Sequence, residues 1–381
     1  MPRPMLRILL FFILGSAACR IVTIDATYQA TDTPNVPRTD IAEAIISTTT
    51  VEIPKATGTD TPFPPTVTPD HIATGVAEAR AVAATLTAEV PIAPTIVTSF
   101  TSAERIYFSI QDVLYQMDLD GSDLQVVTRG IGNNENIIID VAQKNIFLTR
   151  WDQPAQITVL NLQNLGNIRA FSDGPTDGAQ GIAIDPSGIN MYLGLYYAGV
   201  YVMNMDHPGD WSQLVDASSL SPMIGQRGQL QIDPSNRQIY FRSAFNGECG
   251  ECRYIWRVDF DGNNLIKIVK ANGGDALALD LSEQKMYFTD YPGDYTIKRA
   301  NLDGSEVDTI LELPEPYRFC RTIVLDVTHK KMYLSLYNNG SPIDRRAIAR
   351  ANLDGSGYEI LAQVIGTSED EVSGGIALYL P

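Results

Sequence analysis

The sequence holds little with which to do chemistry. Histidine is scarce: His71, His207 and His329 are the only three in 381 residues. The first falls in a Thr/Pro-rich stretch and the others in separate turns, so no histidine cluster serves a metal or a nucleophile. No glycine-rich loop leads into a helical pattern, which removes a phosphate cradle. Helical and strand periods do not alternate, which argues against an α/β solute-binding body. Basic residues are in deficit, 28 Lys and Arg against 45 Asp and Glu, for a net charge of −17. Nucleic acid demands a basic face, and so does polybasic attachment to lipid headgroups, so both are excluded as expectations. No apolar run approaches the roughly 20 residues that a bilayer core requires.

What is present begins with a tripartite leader. Arg3 and Arg7 are basic, Ile8 to Leu14 is apolar, and Gly15, Ser16, Ala17 and Ala18 lead into Cys19. That order is a secretory signal. The small residues before a single Cys resemble the bacterial lipobox, with Ser16 where that motif usually has an aliphatic residue. The resemblance implies cleavage before Cys19 and lipid on its sulfur. Two acyl chains anchor stably where one is marginal, so the expected location is extracytoplasmic, held at the membrane by lipid alone. Residues 1–18 are read as signal.

Cysteine is the next scarce type, with four in all. Cys249-Gly250-Glu251-Cys252 is read as a local disulfide in an exported protein. Redox catalysis would need a βαβ context, and zinc a fourth ligand beside the three remaining thiols. Cys320 is left over.

Residues 19–100 are read as the lipidated Cys and a disordered spacer. Between residues 20 and 100 there are 18 Thr and 9 Pro, and only Tyr28, Phe63 and Phe100 are aromatic. Such a chain cannot bury enough apolar surface to offset its ordering entropy. The one interruption, 70–89, is Ala-rich and reads as a short helix at most.

From 101 to 381 the chain is periodic. Five segments read apolar, x, apolar, Asp and end at Asp140, Asp185, Asp233, Asp280 and Asp326. Seven residues after each comes an aromatic: Phe147, Tyr192, Tyr240, Tyr287 and Tyr333. Turn signals follow, as in Asp118-Leu119-Asp120-Gly121-Ser122, Asp259-Phe260-Asp261-Gly262-Asn263, Asn301-Leu302-Asp303-Gly304-Ser305 and Asn352-Leu353-Asp354-Gly355-Ser356. Asp-Gly between apolar runs marks a hairpin, because Gly accepts positive φ without steric cost. Each unit holds four short strands, which is one propeller blade. Tyr107 adds a sixth aromatic but has no first-type strand before it. Gly374-Gly375-Ile376-Ala377-Leu378-Tyr379 is a first-type strand with nothing after it. The fold class expected is therefore all-β, one six-bladed β-propeller closed by the C-terminal strand.

These units resemble the YWTD repeats (class B repeats) of the low-density lipoprotein receptor family, within the TolB-like propeller superfamily. Tyr287-Phe288-Thr289-Asp290 is the best match to the motif, and 297–305 and 349–356 match the hairpin after it. Blades two and three depart: Phe147-Leu148-Thr149-Arg150 and Tyr192-Leu193-Gly194-Leu195 lack the motif Asp. The resemblance implies a fold; without flanking Cys-rich modules it implies no endocytic role.

The repeated Asp residues read as turn formers whose carboxylates accept nearby backbone N–H groups. The expected site is instead the channel mouth, where the residues differ from blade to blade: Asn136, Gln180, Arg227, Gln229, Asp275 and Arg321, with Glu135, Thr322 and Ser373 beside them. Two Arg in an acidic chain favour a carboxylate or phosphate. The function expected is a binding or scaffolding lipoprotein, not an enzyme, without cofactor or metal. It is expected to act as a monomer on an envelope or extracellular protein or a small anionic ligand. The alternative is a propeller hydrolase or lactonase with a metal held in the channel by Glu135, Asn136 and Asp275.

Overall fold

The computed structural model describes residues 7–14, 18–25, 48–50, 95–96, 100, 102–110, 112–132, 134–150, 156–165, 168–174, 178–195, 198–216, 226–244, 253–290, 295–338, 345–365 and 374–381. The chain divides into two units, Met1–Val90 and Pro91–Pro381. In the first, Arg7–Leu14 pairs antiparallel with Ala18–Asp25, and Thr48–Thr50 adds to the far side. Cys19 stands opposite Ile13 in that pairing. Among the described residues no helix is long and apolar enough to cross a membrane.

The second unit is the propeller, and the expected six blades are present. Blades 2 to 6 are four-stranded antiparallel sheets whose innermost strands are Asn134–Asp140, Ala179–Ile184, Gln226–Asp233, Leu277–Asp280 and Phe319–Asp326. Blade 1 is built from the two ends of this second unit. Ile376–Tyr379 is its innermost strand, paired with Arg105–Ile110 in the register Ile376↔Phe108 to Tyr379↔Arg105. Its outer edge holds a strand that composition did not reveal. Thr95–Ile96 lies parallel to Gln125–Arg129, and the Phe100 ring meets Tyr379 edge-on at 5.3 Å. The end of the segment read as spacer thus belongs to the blade.

The spacing of seven residues has a packing cause. The repeated aromatics lie on second strands at 1–2 % exposure. Tyr107 packs with Ile137 and Leu148 of blade 2, Phe147 with Met191 and Leu193 of blade 3, and Tyr192 with Leu230 and Phe241 of blade 4. Tyr240 packs with Leu277 and Phe288 of blade 5, and Tyr333 with Ile106 and Phe108 of blade 1. Each of these five rings is a wedge between its own sheet and the next.

Inner strands run from what we call the upper face to the lower face, where the repeated Asp turns lie. Those carboxylates act as expected: Asp140, Asp233 and Asp326 accept the backbone N–H three residues on, at 3.0–3.1 Å. Asp280 accepts those of Ser282 and Glu283, and Asp185 that of Ile189.

The Asp-Gly turns do more than reverse the chain. Gly355 has φ +86°, and a Cβ there would lie 1.7 Å from the carbonyl oxygen of Ile310, on the outer strand of the preceding blade. Gly304 meets Ile268 in the same way at 2.3 Å. Blade 3, which lacks Asp-Gly at this turn, places Gly209 in open space. Gly355→Ala is therefore expected to cost about 2 kcal/mol, combining the positive-φ penalty with a displaced turn, which lowers Tm by about 5 °C. Gly209→Ala carries only the φ penalty, so its melting curve should shift by less than half as much; equal shifts would mean that the inter-blade contact contributes nothing.

Candidate functional site

Toward the upper face blades 4 and 5 approach closely, and glycine is what allows it. Gly228 has φ +90°, and a Cβ there would lie 1.8 Å from the Asp275 carbonyl oxygen, so blades 4 and 5 meet backbone to backbone. The Gln229 N–H donates to that same carbonyl at 2.9 Å. The Gln229 side chain then crosses to two blades. Its Nε2 donates to the Ile323 carbonyl at 3.0 Å, and its Oε1 accepts the N–H groups of Ile323 at 2.8 Å and Leu277 at 3.1 Å. Innermost strands present an unpaired edge to the channel, and this one amide satisfies three of those edge groups.

Three of the residues expected at the mouth therefore lie within the ring: Asn136 at 3 %, Gln180 at 7 % and Gln229 at 3 % exposure. Asn136 Nδ2 donates to the Gln180 carbonyl at 3.5 Å, and its Oδ1 accepts the Ile137 N–H. Thr322 is buried beside them. Asp275 and Arg321 do come together, Nη1 to Oδ2 at 3.8 Å. The side chains of Glu135 and Arg227, and Ser373, Cys249 and Cys252 altogether, lie outside the described residues.

Around Arg321 the upper face of blades 5 and 6 carries a run of cations and rings. Arg318 lies over Tyr295 at 5.3 Å, and Tyr295 meets Phe319 edge-on at 5.1 Å. Phe319 stacks on Tyr337 at 5.1 Å, and Arg346 covers the other side of Tyr337 at 5.8 Å. Rings place their negative faces toward cations. Burial pulls the Arg321 guanidinium down to about 10, still cationic at neutral pH. Burial pushes the neighbouring Cys320 thiol far up, so it is an inert core thiol.

The most deeply buried arginine among the described residues carries no signal in the sequence. Arg242, at 1 % exposure, donates from Nη1 to the carbonyls of Ala276 at 3.0 Å and Thr289 at 2.9 Å, and from Nη2 to that of Gly273. Its planar fork ties blade 4 to blade 5. A strand Arg between Phe241 and Ser243 carries no periodic signal of such a role.

A cavity of about 440 Å³ is walled by inner-strand residues including Ile139, Ile184, Ile232, Val324 and Leu378, with Asn136 and Gln229 among its lining. Among the described residues no charged side chain lines it. Among the described residues no three His, Cys, Asp or Glu side chains gather as metal ligands. At the mouth, the Arg321 cation beside Asp275 opposes a dication there.

No protein-family model matches the sequence. Solved structures of similar architecture include a chain of the nidogen/laminin complex, with TM-score 0.57 and 13 % identity over 73 % of this chain and 99 % of that one. TolB from Acinetobacter baumannii is similar with TM-score 0.53 and 13 % identity, over 72 % of this chain and 66 % of that one. At this identity the likeness concerns the fold alone, a six-bladed propeller.

Proposed function

We propose that the protein is an envelope lipoprotein, anchored through Cys19, whose propeller captures an acidic partner protein on its upper face. The observation that carries the reading is the run Arg318, Tyr295, Phe319, Tyr337 and Arg346 beside Arg321. It sets three arginines among rings in a chain of net charge −17, with Arg318 paired to Glu315 at 2.7 Å and Arg321 to Asp275 at 3.8 Å. Arg and Tyr are the residue types that dominate binding at protein interfaces. The YWTD assignment of the repeats rests on Tyr287-Phe288-Thr289-Asp290. There Asp290 accepts the Asn272 N–H at 2.6 Å and pairs with Lys298 at 2.5 Å, which braces the loop entering the inner strand. A propeller fits a binding or scaffolding role; superfolds do not fix functions.

The test is capture from native envelope by the full chain, cross-linked and identified by mass spectrometry. Arg321→Ala is expected to reduce capture about 10-fold or more, the scale of truncating a charged contact at an interface, with Tm shifted little. Cys19→Ser is expected to move the protein out of the membrane fraction. Capture unchanged by Arg321→Ala sinks the upper-face reading. A Cys19→Ser variant that stays in the membrane fraction sinks the anchor. Binding of a small anion without any captured protein would replace the partner by a ligand.

A further inference from the structure

The third strand of each blade has one position whose register repeats. It stands opposite the repeated aromatic on the second strand and opposite a residue of the outer strand. In blades 1, 5 and 6 it is polar and has a polar partner on the outer strand. Gln116 faces Gln125 and donates to it at 2.9 Å. Arg299 faces Asp308 at 4.0 Å, and Arg350 faces Glu359, donating to its carboxylate from Nε at 2.9 Å. Blades 2 and 3 place Val159 and Val202 there, which need no partner. Blade 4 departs from both patterns. Arg257, opposite Tyr240, faces Ile266 on its outer strand. Ile266 is 40 % exposed and offers a guanidinium nothing to pair with. Arg257 meets the Tyr240 hydroxyl, but among the described residues it has no ion-pair partner.

A groove opens beside this arginine between blades 4 and 5. It holds about 450 Å³, within the size range of small-molecule sites, and Asn236, Tyr240, Arg257, Gln284 and Asp303 are among its lining. Two amides there have acceptors to spare. Asn236 donates from Nδ2 to the Asp233 carboxylate at 2.7 Å, and Gln284 from Nε2 to the Leu281 carbonyl at 2.7 Å. Those partners only accept, so the amide oxygens are what remain for a ligand. A carboxylate suits the guanidinium through paired hydrogen bonds, and hydroxyl groups suit the amide oxygens. Asp303 limits the charge of such a ligand. Its carboxylate accepts the Ser305 N–H at 2.9 Å and Oγ–H at 2.6 Å, but its negative charge stays in the groove and opposes a dianion.

We infer that the groove between blades 4 and 5 binds a small hydroxylated monocarboxylate of the sugar-acid type, whose carboxylate takes the place at Arg257 that Asp308 and Glu359 hold in blades 5 and 6. The inference goes beyond the upper-face reading and stands or falls independently of it. The test titrates the full chain by ligand-observed NMR with four probes: glucuronate, glucose, glucose 6-phosphate and N-acetylglutamate α-amide. Glucuronate is expected to saturate one site. Glucose, without a carboxylate, and glucose 6-phosphate, nearly a dianion, should each bind at least 10-fold more weakly. The glutamate probe, an acidic side chain without hydroxyl groups, should bind several-fold more weakly. Ile266→Glu supplies from within the blade the carboxylate that blade 6 has, and should weaken glucuronate about 10-fold or more, the scale of losing a charged hydrogen bond. Ile266→Gln, of the same length without charge, should leave binding within about 2-fold of the parent. Both changes are on an exposed edge position, and melting curves confirm that the fold persists. Arg257→Gln should abolish binding, and serves if Ile266→Glu does not fold. Arg321→Ala should leave binding unchanged, which separates this groove from the upper face. The inference is overturned if glucuronate does not saturate, if its binding survives Ile266→Glu or Arg257→Gln, or if Ile266→Gln or Arg321→Ala removes it. Tighter binding of glucose 6-phosphate overturns the monocarboxylate assignment, and tighter binding of the glutamate probe overturns the sugar-acid class.

Discussion

A chain ending at Ser373 is expected to lose its cooperative unfolding transition. The eight residues removed carry the innermost strand of blade 1, through which the end of the chain closes the ring. Ile376 and Tyr379, at 0 % and 2 % exposure, leave the core. Full burial of side chains of this size contributes about 2–3 kcal/mol each. Three bonds to the rest of the ring vanish as well: Ser109 N–H to the Gly375 carbonyl at 3.1 Å, Gly375 N–H to Ser109 Oγ at 3.2 Å, and Ser335 Oγ to the Gly374 carbonyl at 3.0 Å. The ladder to Arg105–Ile110 goes with them, at about 1 kcal/mol for each bond. The sum is on the order of 8–10 kcal/mol, within the 5–15 kcal/mol that stabilises a typical domain. Ile106 and Phe108, wholly buried in the closed ring, would then flank an open strand edge, a template for aggregation. Calorimetry of the truncated and full chains at equal concentration checks this. A truncated chain that melts cooperatively within about 5 °C of the full one would falsify closure by the C-terminal strand as a source of stability.

The closure was legible because both halves of the signal are repetitive: a first-type strand missing at Tyr107 reappears at Ile376. The blade count was legible for the same reason, since the aromatic at a spacing of seven is the wedge that every blade needs. Thr95–Ile96 was not legible, because two residues carry no period and their neighbours are Thr and Pro. The candidate site was legible only in part. Variation from blade to blade marked the inner-strand starts as a candidate mouth, and the structure places Arg321 beside Asp275 there. The same rule picked out Gln229, whose amide bonds inner-strand groups of blades 5 and 6, a role that blade-to-blade variation alone does not reveal. The inner strands carry a further trace: Ile137-Ile138-Ile139, Leu230-Gln231-Ile232 and Ile323-Val324-Leu325 are almost continuously apolar where a half-exposed strand would alternate. Such runs indicate strands covered on both faces, and here they also wall the channel.

Gln229→Met is expected to destabilise the ring by about 4 kcal/mol while leaving upper-face capture intact. Met matches Gln in length, so the volume is kept and no cavity term enters. What is lost is the set of bonds from one amide: the Ile323 carbonyl loses its donor, and the N–H groups of Ile323 and Leu277 lose their acceptor. Each buried backbone group left without a partner costs about 1–3 kcal/mol. Water reaching up from the cavity below recovers part of that, which is why the lower half of the range applies. For a domain of this size the shift in Tm is on the order of 10 °C. Gln229→Glu separates packing from bonding. Its carboxylate still accepts the two N–H groups but cannot donate to the Ile323 carbonyl, and it carries a charge into a site at 3 % exposure. Burial disfavours the charged form, so its folded pKa should exceed the ordinary carboxylate value of about 4.3. With a pKa raised on folding, this variant should be least destabilised at acid pH and lose stability as pH rises through the range between the two values. Gln229→Met shows no such pH dependence. If Gln229→Met instead melts like the parent and loses partner capture, Gln229 is a contact residue, and the amide across the channel is incidental to the fold.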